Sequence, residues 1–474
     1  MRGGTRNGRI GWKTRVGRAA GLTGMIAATA AGPAAQDAPD AGAWRQVAYL
    51  KASNPGMFDH FGEGGALDGH SGSGVAISAD GTTIAVGAQH ESSSARGVNG
   101  PQGDDSAYNS GAVYVFAREG SGWVQQAYLK ASNAEAGDHF GNAVALSADG
   151  NTLAVAAFWE SSGATGVDGD QHDNSIPQAG AVYVFTRKGS TWTQQAYIKA
   201  SNTGRAGGSD QFGDGDQFGF SLALSADGNT LAVGAVGEDA SAAGSGTDPR
   251  DDSFTSAGAV YVFTRTGDRW AQQAYLKADA STNTALGDQF GYAVSLSADG
   301  RTLAVGVYDE SGSGRTVNAP VDRGRPGSGA VYIFTRQGST WTREAYLKTW
   351  NAEGGDSWGS AVSLSADGNT LAVGSLDEDC LCPGVHADPA QGASDQKSDT
   401  SAGAVAIFVR TGTTWRQQAF IKPSNPGRGD WFGVRLALSG DGRTLAVGAQ
   451  NEDGAARGIN GPQNDDATEA GAVY

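Results

Sequence analysis

One eight-residue sequence motif occurs in six copies along the chain. It is WVQQAYLK from Trp123, and related copies start at Trp44, Trp192, Trp270, Trp341 and Trp415. These starts are 79, 69, 78, 71 and 74 residues apart. Such a period predicts an array of one supersecondary unit, because a single unit cannot bury its apolar face alone. It also bears on function, since an array presents a surface more often than it assembles one catalytic pocket.

The third full copy predicts the structure of the unit. Apolar and small residues alternate over 218–225. An Asp-Gly turn follows, and 230–235 is a run of small and apolar residues of the kind found in buried strands. β-branched and aromatic residues fill 259–265, and a tight turn leads into 270–277. Period-two alternation, Asp-Gly turns and β-branched residues are typical of antiparallel strands. The mature chain is therefore predicted to be all-β, with four strands per copy.

Six copies of a four-stranded antiparallel unit predict a β-propeller with six blades. The alternative is a stacked β-solenoid, which usually has shorter repeats. The Phe-Gly pairs, each followed by a strand and then a run like AVGA, resemble the FG-GAP repeat; they are Phe140-Gly141, Phe218-Gly219, Phe290-Gly291 and Phe432-Gly433. That repeat builds the N-terminal propeller of integrin α chains and of bacterial secreted proteins. The resemblance implies that the Phe-Gly strand is innermost and the Trp strand outermost.

Two copies depart from this pattern, and the two ends of the array differ. The fifth copy has Trp358-Gly359, and in the first copy an insertion leaves Phe61-Gly62 ten residues ahead of its expected place. The array begins with a Trp strand at 44–51 and ends inside an AGAVY strand at 470–474. We expect the first strand to complete the last blade and so remove both free edges. The alternative is a propeller of seven blades with one missing.

Composition and charge indicate a leader segment followed by an acidic domain. Residues 1–35 resemble a secretory signal peptide, with six basic residues and no acid up to Arg18, then an apolar run and small residues. Residues 44–474 are predicted to be one domain. The formal charge is −16, and removal of the leader leaves 28 basic against 50 acidic residues. Such a domain disfavours nucleic acid as a partner. No apolar run is long enough for a transmembrane segment.

Strand connectivity predicts two unlike faces. In a four-stranded antiparallel blade, the first and third connections share one face, and these are always short turns here. The other face carries six loops of 21 to 27 residues. Long loops on a rigid scaffold usually form the binding face. The predicted binding-face residues are the acids and amides of these loops: Glu91, Asn99, Asp104, Asp105, Glu160, Asp168, Asp170, Asp173, Glu238, Asp239, Asp251, Asp252, Glu452, Asp453, Asp465 and Asp466.

The same oxygen-rich loops are candidate Ca²⁺ ligands, because Ca²⁺ takes six to eight oxygens in flexible geometry. The alternative is a solvated acidic surface. The calcium motif of integrin-like repeats does not carry over, since its place holds only the Ala-Asp-Gly turn with Asp80 and its counterparts. Those aspartates are expected to bond their own backbone. The aspartates before the aromatic-Gly pairs, such as Asp138, are expected to accept backbone N–H groups in the links between blades.

Little in the sequence supports catalysis. The six histidines have no metal-ligand spacing within one element, and Cys380 and Cys382 form neither a disulfide framework nor a zinc site. A hydrolase or lyase would need acids that break the repeat, so we expect a non-enzyme. The predicted protein is a monomeric, adhesion-type propeller that binds a protein or glycan and is secreted, periplasmic or on the cell surface. The alternatives are a structural surface array without a ligand and a propeller enzyme.

Overall fold

The computed structural model describes residues 46–64, 73–210, 213–240, 255–278, 287–387, 400–456, 461 and 467–474. The predicted leader at 1–35, Trp44 and residues 65–72, which include most of the first-copy insertion predicted at 62–71, lie outside these ranges. The chain divides into one unit that ends at Tyr49 and a second unit, Leu50–Tyr474. In the first unit, residues 46–49 form no helix or strand. The propeller is formed by the second unit.

Apart from one two-stranded hairpin, the strands of the second unit form six antiparallel sheets, here called blades 1 to 6 in chain order. Blade 1 contains β1 (Val75–Ile77), β2 (Thr83–Ala88), β3 (Ala112–Glu119) and β4 (Gly122–Leu129). Blade 2 contains β5 (Phe140–Leu146), β6 (Thr152–Ala157), β7 (Ala181–Lys188) and β8 (Thr191–Ile198). A small hairpin follows, with β9 (Arg205–Asp210) and β10 (Gly213–Gly215).

The remaining blades follow the same order. Blade 3 contains β11 (Phe218–Leu224), β12 (Thr230–Ala235), β13 (Ala259–Thr266) and β14 (Arg269–Leu276). Blade 4 contains β15 (Phe290–Leu296), β16 (Thr302–Val307), β17 (Ala330–Gln337) and β18 (Thr340–Leu347). Blade 5 contains β19 (Ala361–Leu364), β20 (Thr370–Ser375), β21 (Gly384–His386), β22 (Ala404–Thr411) and β23 (Thr414–Lys422). Blade 6 contains β24 (Phe432–Leu438), β25 (Leu445–Ala449) and β26 (Ala472–Val473).

The structure confirms the all-β propeller with six blades, and the described residues contain no helix. The strands of blade 3 agree with the predicted ones to within one residue at each end. Two local differences were not predicted. Strand β21, from the long loop of blade 5, adds a fifth strand beside β23. Blade 6 has three strands in its described part, and 46–50, expected to complete it, contain no strand.

The hydrophobic core lies between consecutive blades. One buried cluster joins Val115 and Leu129 of blade 1 to Phe140 and Tyr183 of blade 2, and the next three clusters repeat this arrangement. The outer strands pair through a side-chain contact across the same interface: Trp192 Nε1 donates to Gln126 Oε1 at 2.9 Å. Repeated Trp and Tyr residues thus pack in the clusters between blades.

Close approach of neighbouring blades explains one invariant glycine. Gly258 ends the long loop of blade 3 with a φ of +76°, in the left-handed region. A Cβ atom there would lie 2.3 Å from the carbonyl oxygen of Phe290, the first residue of β15 in blade 4. Both the backbone conformation and the contact therefore require glycine. The glycine of the repeated AGAVY motif therefore lies at the contact between one blade and the next.

The two faces differ as the connectivity predicts. The connections from first to second strand and from third to fourth strand are short turns, and they share one face, which we call the short-turn face. The connections from second to third strand span 22 to 28 residues and share the opposite face with the links between blades. We call it the long-loop face.

Candidate functional site

Each long loop is closed at its base by one backbone hydrogen bond. The glycine that ends the loop donates its N–H to the carbonyl oxygen of a glutamate that begins it. The bond is present in all six blades: Gly111 to Glu91, Gly180 to Glu160, Gly258 to Glu238, Gly329 to Glu310, Gly403 to Glu378 and Gly471 to Glu452, at 2.8 to 3.0 Å. The bond fixes where every loop leaves the sheet, whatever the loop contains.

The side chain of the same glutamate forms a buried ion pair. Its partner is the lysine at the end of the Trp-bearing strand of the same blade; it follows that strand directly in blades 1 to 4 and is its last residue in blade 5. The Nζ to Oε2 distances are 2.8 Å for Lys130–Glu91, 2.8 Å for Lys199–Glu160, 2.5 Å for Lys277–Glu238, 2.8 Å for Lys348–Glu310 and 2.5 Å for Lys422–Glu378. The lysine side chains are at most 1% exposed. Such a pair needs further hydrogen bonds to offset the cost of removing two charges from water.

Neighbouring polar groups supply those bonds, as blade 2 shows. Tyr197 donates its hydroxyl to Glu160 Oε1 at 2.9 Å, and the N–H of Ser162 in the loop donates to Oε2 at 3.1 Å. Asn133, from the link before the blade, donates to Oε1 at 2.9 Å and accepts from the Tyr183 hydroxyl at 2.5 Å. The glutamate therefore joins the loop, the outer strand and the preceding link. We call this set the loop-base network.

Burial determines the electrostatics of the loop-base network. Desolvation lowers the pKa of Lys199 below its usual range, and the carboxylate of Glu160 offsets this only in part. Burial likewise raises the pKa of Glu378 in blade 5, against the opposing charge of Lys422. The ion pair is thus maintained by direct contact in a dry site, and removal of either partner leaves an uncompensated charge.

Blades 5 and 6 retain the glutamate but lack some of its partners. In blade 5, Phe420 stands where the other blades have the hydroxyl donor, and Ala406 replaces the tyrosine of the third strand. In blade 6, Glu452 is buried and accepts from Asn425 at 2.9 Å, yet no ion pair to it occurs among the described residues. Lys51, which ends the first copy of the Trp phrase, is exposed.

The loop-base network accounts for several predicted binding-face residues. Glu91, Glu160, Glu238 and Glu452 are at most 5% exposed, so their carboxylates lie inside the protein and anchor the loops. Asp239 is also buried, and its Oδ1 accepts from the N–H of Ser256 at 2.7 Å. These residues support the long-loop face and do not form its surface.

Other predicted residues do lie on the surface, and several shape the loops. Asn99 and Asp168 accept from the N–H groups of Tyr128 and Tyr197, which ties each loop to its own outer strand. The exposed Asp104 accepts from Ser94 and Ser106. The rest are exposed or half-buried acids: Asp105, Asp170, Asp173 and Asp453. Asp251, Asp252, Asp465 and Asp466 lie outside the described residues.

The repeated aspartates outside the loops have the predicted structural roles, except Asp288, whose buried carboxylate oxygens accept no hydrogen bond. Asp80 Oδ1 accepts from the N–H of Thr82 at 3.0 Å in the first short turn, and the five counterparts do the same. In the links, Asp138 Oδ2 accepts from the N–H of Glu135 at 2.8 Å. Burial raises the pKa values of three link aspartates: Asp138 to about 7, Asp288 to about 8 and Asp356 to about 8.

One polar cluster was missed at the sequence level. His60, His90 and His139 come from three separate segments of blades 1 and 2, and their rings meet edge to face with centroids 4.4 and 5.0 Å apart. Trp159 continues the row at 4.6 Å from His139. Burial lowers the pKa of His139 to about 3, so its ring is neutral at pH 7. No spacing within one element could reveal this cluster.

The described residues contain no group of three or more His, Cys, Asp or Glu side chains arranged to hold a metal ion. Calcium binding by the loops therefore stays a prediction. Cys380 and Cys382 form a disulfide at the start of the blade 5 loop, which joins residues only two positions apart. It closes a local ring and links no distant parts of the chain.

Comparison with known protein families supports the repeat. The FG-GAP repeat family model matches residues 123–185 and 415–474. No curated protein sequence matches the chain. Structural similarity extends to a 6-phosphogluconolactonase candidate from Bacteroides uniformis, with 12% identity, TM-score 0.42 and coverage of 84% of this chain and 87% of the other. It extends also to the hydrazine synthase of Kuenenia stuttgartiensis, with 14% identity, TM-score 0.41 and coverage of 86% and 78%.

A third similar structure is the periplasmic gluconolactonase of Pseudomonas aeruginosa, with 16% identity, TM-score 0.36 and coverage of 74% of this chain and 86% of the other. Similarity at this level carries no information on activity. Among the described residues there is also no helix long and apolar enough to cross a membrane.

The loop-base network predicts a large cost for removing one charge. Lys199→Met should lower the free energy of unfolding by about 3 to 5 kcal/mol, because the Glu160 carboxylate stays buried without its cation. Adding Glu160→Leu should recover part of the loss. The exposed Lys188 provides a matched control, and Lys188→Met should change stability by less than about 0.5 kcal/mol. Equal effects of the two lysine substitutions, measured by denaturant unfolding, would contradict a structural role for the pair.

The link aspartates predict a pH dependence of stability. Their pKa values in the folded state are raised above 3.8, so the folded protein binds more protons and stability falls as pH rises from about 4 to about 8. Asp356→Asn should flatten this decline in unfolding free energy. Asp367 in a short turn has a pKa lowered by its bond from Ser365, so Asp367→Asn should lower stability by a constant amount above about pH 4 and should change the slope with pH only below it. An unchanged slope in Asp356→Asn would refute the assignment.

Proposed function

Because this chain is a six-bladed β-propeller that carries FG-GAP repeats, we propose that it is an exported, non-catalytic binding module whose long-loop face contacts a protein partner. The observation that carries the proposal is the contrast between the base of each loop and its exposed part. The base is fixed by a backbone bond in all six blades and by a buried ion pair in five, while the exposed part differs between most blades; the loops of blades 1 and 6 share nearly one sequence, at 95–105 and 456–466. A fixed base with variable loops is the arrangement of known binding scaffolds.

The chemistry of the exposed loops favours a basic partner. Asp104, Asp105, Asp168 and Asp170 are exposed on two neighbouring blades, and the chain as a whole carries a formal charge of −16. Acidic surfaces attract partners with Lys and Arg side chains and speed their association. A protein surface is therefore favoured over an acidic glycan.

The non-catalytic part of the proposal rests on how the acids are used. The carboxylates that recur in every blade hold loops, turns or links, as the bonds to Glu160, Asp80 and Asp138 illustrate. A catalytic pair of carboxylates would need two acids that face one substrate at a fixed separation. Because these repeated acids have structural roles, we expect the long-loop face to serve in recognition and not in catalysis.

The loop-face proposal predicts a charge-dependent interaction on one face only. A fluorescent Lys-rich peptide should bind the full chain in a salt-sensitive manner, and Asp105→Asn with Asp170→Asn should weaken binding by roughly threefold to tenfold. Glu119→Gln with Asp268→Asn on the short-turn face removes the same charge and should have little effect. Equal weakening by both pairs of substitutions, measured by fluorescence anisotropy, would show that peptide binding depends only on net charge. That result would contradict the proposed binding face.

Export predicts a processed N-terminus. The leader has a basic segment, an apolar run and the small residues Ala28-Thr29-Ala30 and Ala35. When the full chain is produced in a bacterial host, the protein recovered outside the cytoplasm should begin after Ala30 or after Ala35. N-terminal sequencing checks this. Recovery of the chain only from the cytoplasm with its leader intact would contradict export, and it would leave the loop-face experiment unaffected.

A further inference from the structure

Twelve residues near the axis on the long-loop face break the repeat. In each blade, one of them directly precedes the aromatic-Gly pair, and the other directly precedes the glutamate at the loop base. Both positions lie at the inner rim of this face, because the first strands of consecutive blades contact each other around the axis. No two pairs are alike, although the flanking aromatic-Gly pair and glutamate recur in every blade. These rim pairs are His60 with His90, His139 with Trp159, Gln217 with Gly237, Gln289 with Asp309, Ser357 with Asp377, and Trp431 with Asn451.

The first member of every rim pair has a left-handed backbone. Its φ is 54° to 59° in all six blades. Glycine adopts this conformation at the lowest cost, yet none of the six residues is glycine. The side chains at this position therefore supply something that glycine could not.

The rim pairs of blades 4 and 5 form one connected group with two tyrosine rings. Gln289 Nε2 donates to Asp309 Oδ2 at 3.1 Å, and the Tyr308 hydroxyl donates to Asp377 Oδ2 at 3.3 Å. The ring of Tyr308 stacks on that of Tyr292, with centroids 4.6 Å apart. Tyr292 also lines a cavity of about 110 Å³ to which blades 3, 4, 5 and 6 contribute, so the group lies at the axis. We call these five residues the acidic rim group.

The two carboxylates of this group repel each other. Burial raises the pKa of Asp309 to about 6, and the charge of Asp377 adds to the effect. Burial raises the pKa of Asp377 as well, against hydrogen bonds from neutral hydroxyl groups such as that of Tyr308. The charge of Arg435 acts on Tyr292 but is not among the charges that act on Asp309. A cation placed beside Asp309 would therefore be stabilised by both acids.

An acceptor without a donor lies beside the same acids. Gln289 is 2% exposed, and its Oε1 accepts no hydrogen bond. The orientation of the amide is fixed, because an ionised Asp309 can only accept and Nε2 must face it. Oε1 is bonded to the same carbon as Nε2, so this oxygen lies next to the carboxylate. A buried amide oxygen without a donor costs free energy, and a ligand with an N–H group would remove that cost.

The composition of the group distinguishes between a metal ion and an organic cation. Ca²⁺ takes six to eight oxygen ligands, and the described residues contain no set of three or more His, Cys, Asp or Glu side chains arranged around one ion. The acidic rim group instead combines two acids, an amide oxygen and stacked tyrosine rings. Aromatic rings attract organic cations, and an amide oxygen accepts from their N–H groups. An organic cation with N–H groups fits this combination better than a metal ion.

We propose that the acidic rim group binds an organic ammonium group, carried by a free amine or by the lysine side chain of another protein. The ammonium donates to Gln289 Oε1 and to Asp309, and the ring of Tyr308 supplies a cation–π contact. The site is separate from the loop acids of blades 1 and 2, and it requires no protein partner.

The test measures binding of butylammonium to the full chain by calorimetry at pH 8, where both acids are charged, with sodium at matched ionic strength as the reference. Saturable binding is expected, and Asp309→Asn should weaken it by about tenfold or more. Asp268→Asn removes an exposed acid on the short-turn face and should leave binding unchanged. Equal weakening by the two substitutions would overturn the proposal, as would equally tight binding of uncharged butan-1-ol.

Two further variants keep the outcome clear if Asp309→Asn does not fold. Asp377→Asn keeps the shape of the second acid and should also weaken binding, and Gln289→Leu should weaken it by removing the unpartnered oxygen while the charge stays the same. Butylammonium binding that survives both changes would contradict the assignment. The double variant with Asp105→Asn and Asp170→Asn should bind butylammonium like the wild type, so this site and the proposed loop face can fail separately.

Three probes identify the source of the ammonium group. Nα-acetyl-lysine methylamide that binds as tightly as butylammonium assigns the site to a lysine side chain, and binding of butylammonium alone assigns it to a free amine. Ca²⁺ that displaces butylammonium at lower concentration than it binds would make this a metal site and overturn the proposal. An absence of saturable butylammonium binding to the folded wild type would overturn it too, and would leave Gln289 Oε1 to be satisfied by water.

Discussion

The buried Lys–Glu pair at the base of each long loop is the interaction on which the other features of this propeller depend. It joins the residue after the fourth strand to the start of the long loop, so the outer edge of the sheet and the loop are held at one point. The asparagine of the preceding link contacts the same glutamate, so that point also ties the blade to the link from the preceding blade. A buried pair of this kind adds little net stability relative to apolar residues, but it strongly penalises any arrangement that separates the charges. Its contribution is therefore mainly geometric.

This fixed geometry explains why the loops can vary. The backbone bond from Gly180 to Glu160 and its counterparts close loops of 22 to 28 residues at the same place. Loop closure costs little more free energy as a loop grows, so insertions above a closed base are tolerated. Blade 5 shows the extent of that tolerance, because its loop contributes β21 to the sheet and contains the Cys380–Cys382 disulfide, and the Gly403–Glu378 bond and the Lys422–Glu378 pair are still formed.

Much of the fold could be predicted from the sequence, because each strand and turn has a local signal. Alternation marks Phe218–Leu224, and Asp227-Gly228 marks the turn that follows it. The position of Glu160 was harder, since an acid that begins a loop looks like any other loop acid. A signal did exist: Lys199 and its counterparts recur in step with the glutamates, and a lysine repeated at the end of an apolar strand needs a buried partner. The histidine cluster had no such signal, because His60, His90 and His139 meet only through the packing of blades 1 and 2.

A repeat protein can change only where its units do not touch. Glycines such as Gly258, whose place leaves no room for a Cβ atom, and buried pairs such as Lys199–Glu160 lie at contacts between or within blades, and substitution there would disturb the ring. Many of the differences between blades therefore lie in the exposed parts of the loops and on the innermost strands, where Arg435 replaces a small residue. The packing constraints that keep the blades alike thus also determine where the blades can differ. Recognition of a partner requires such differences.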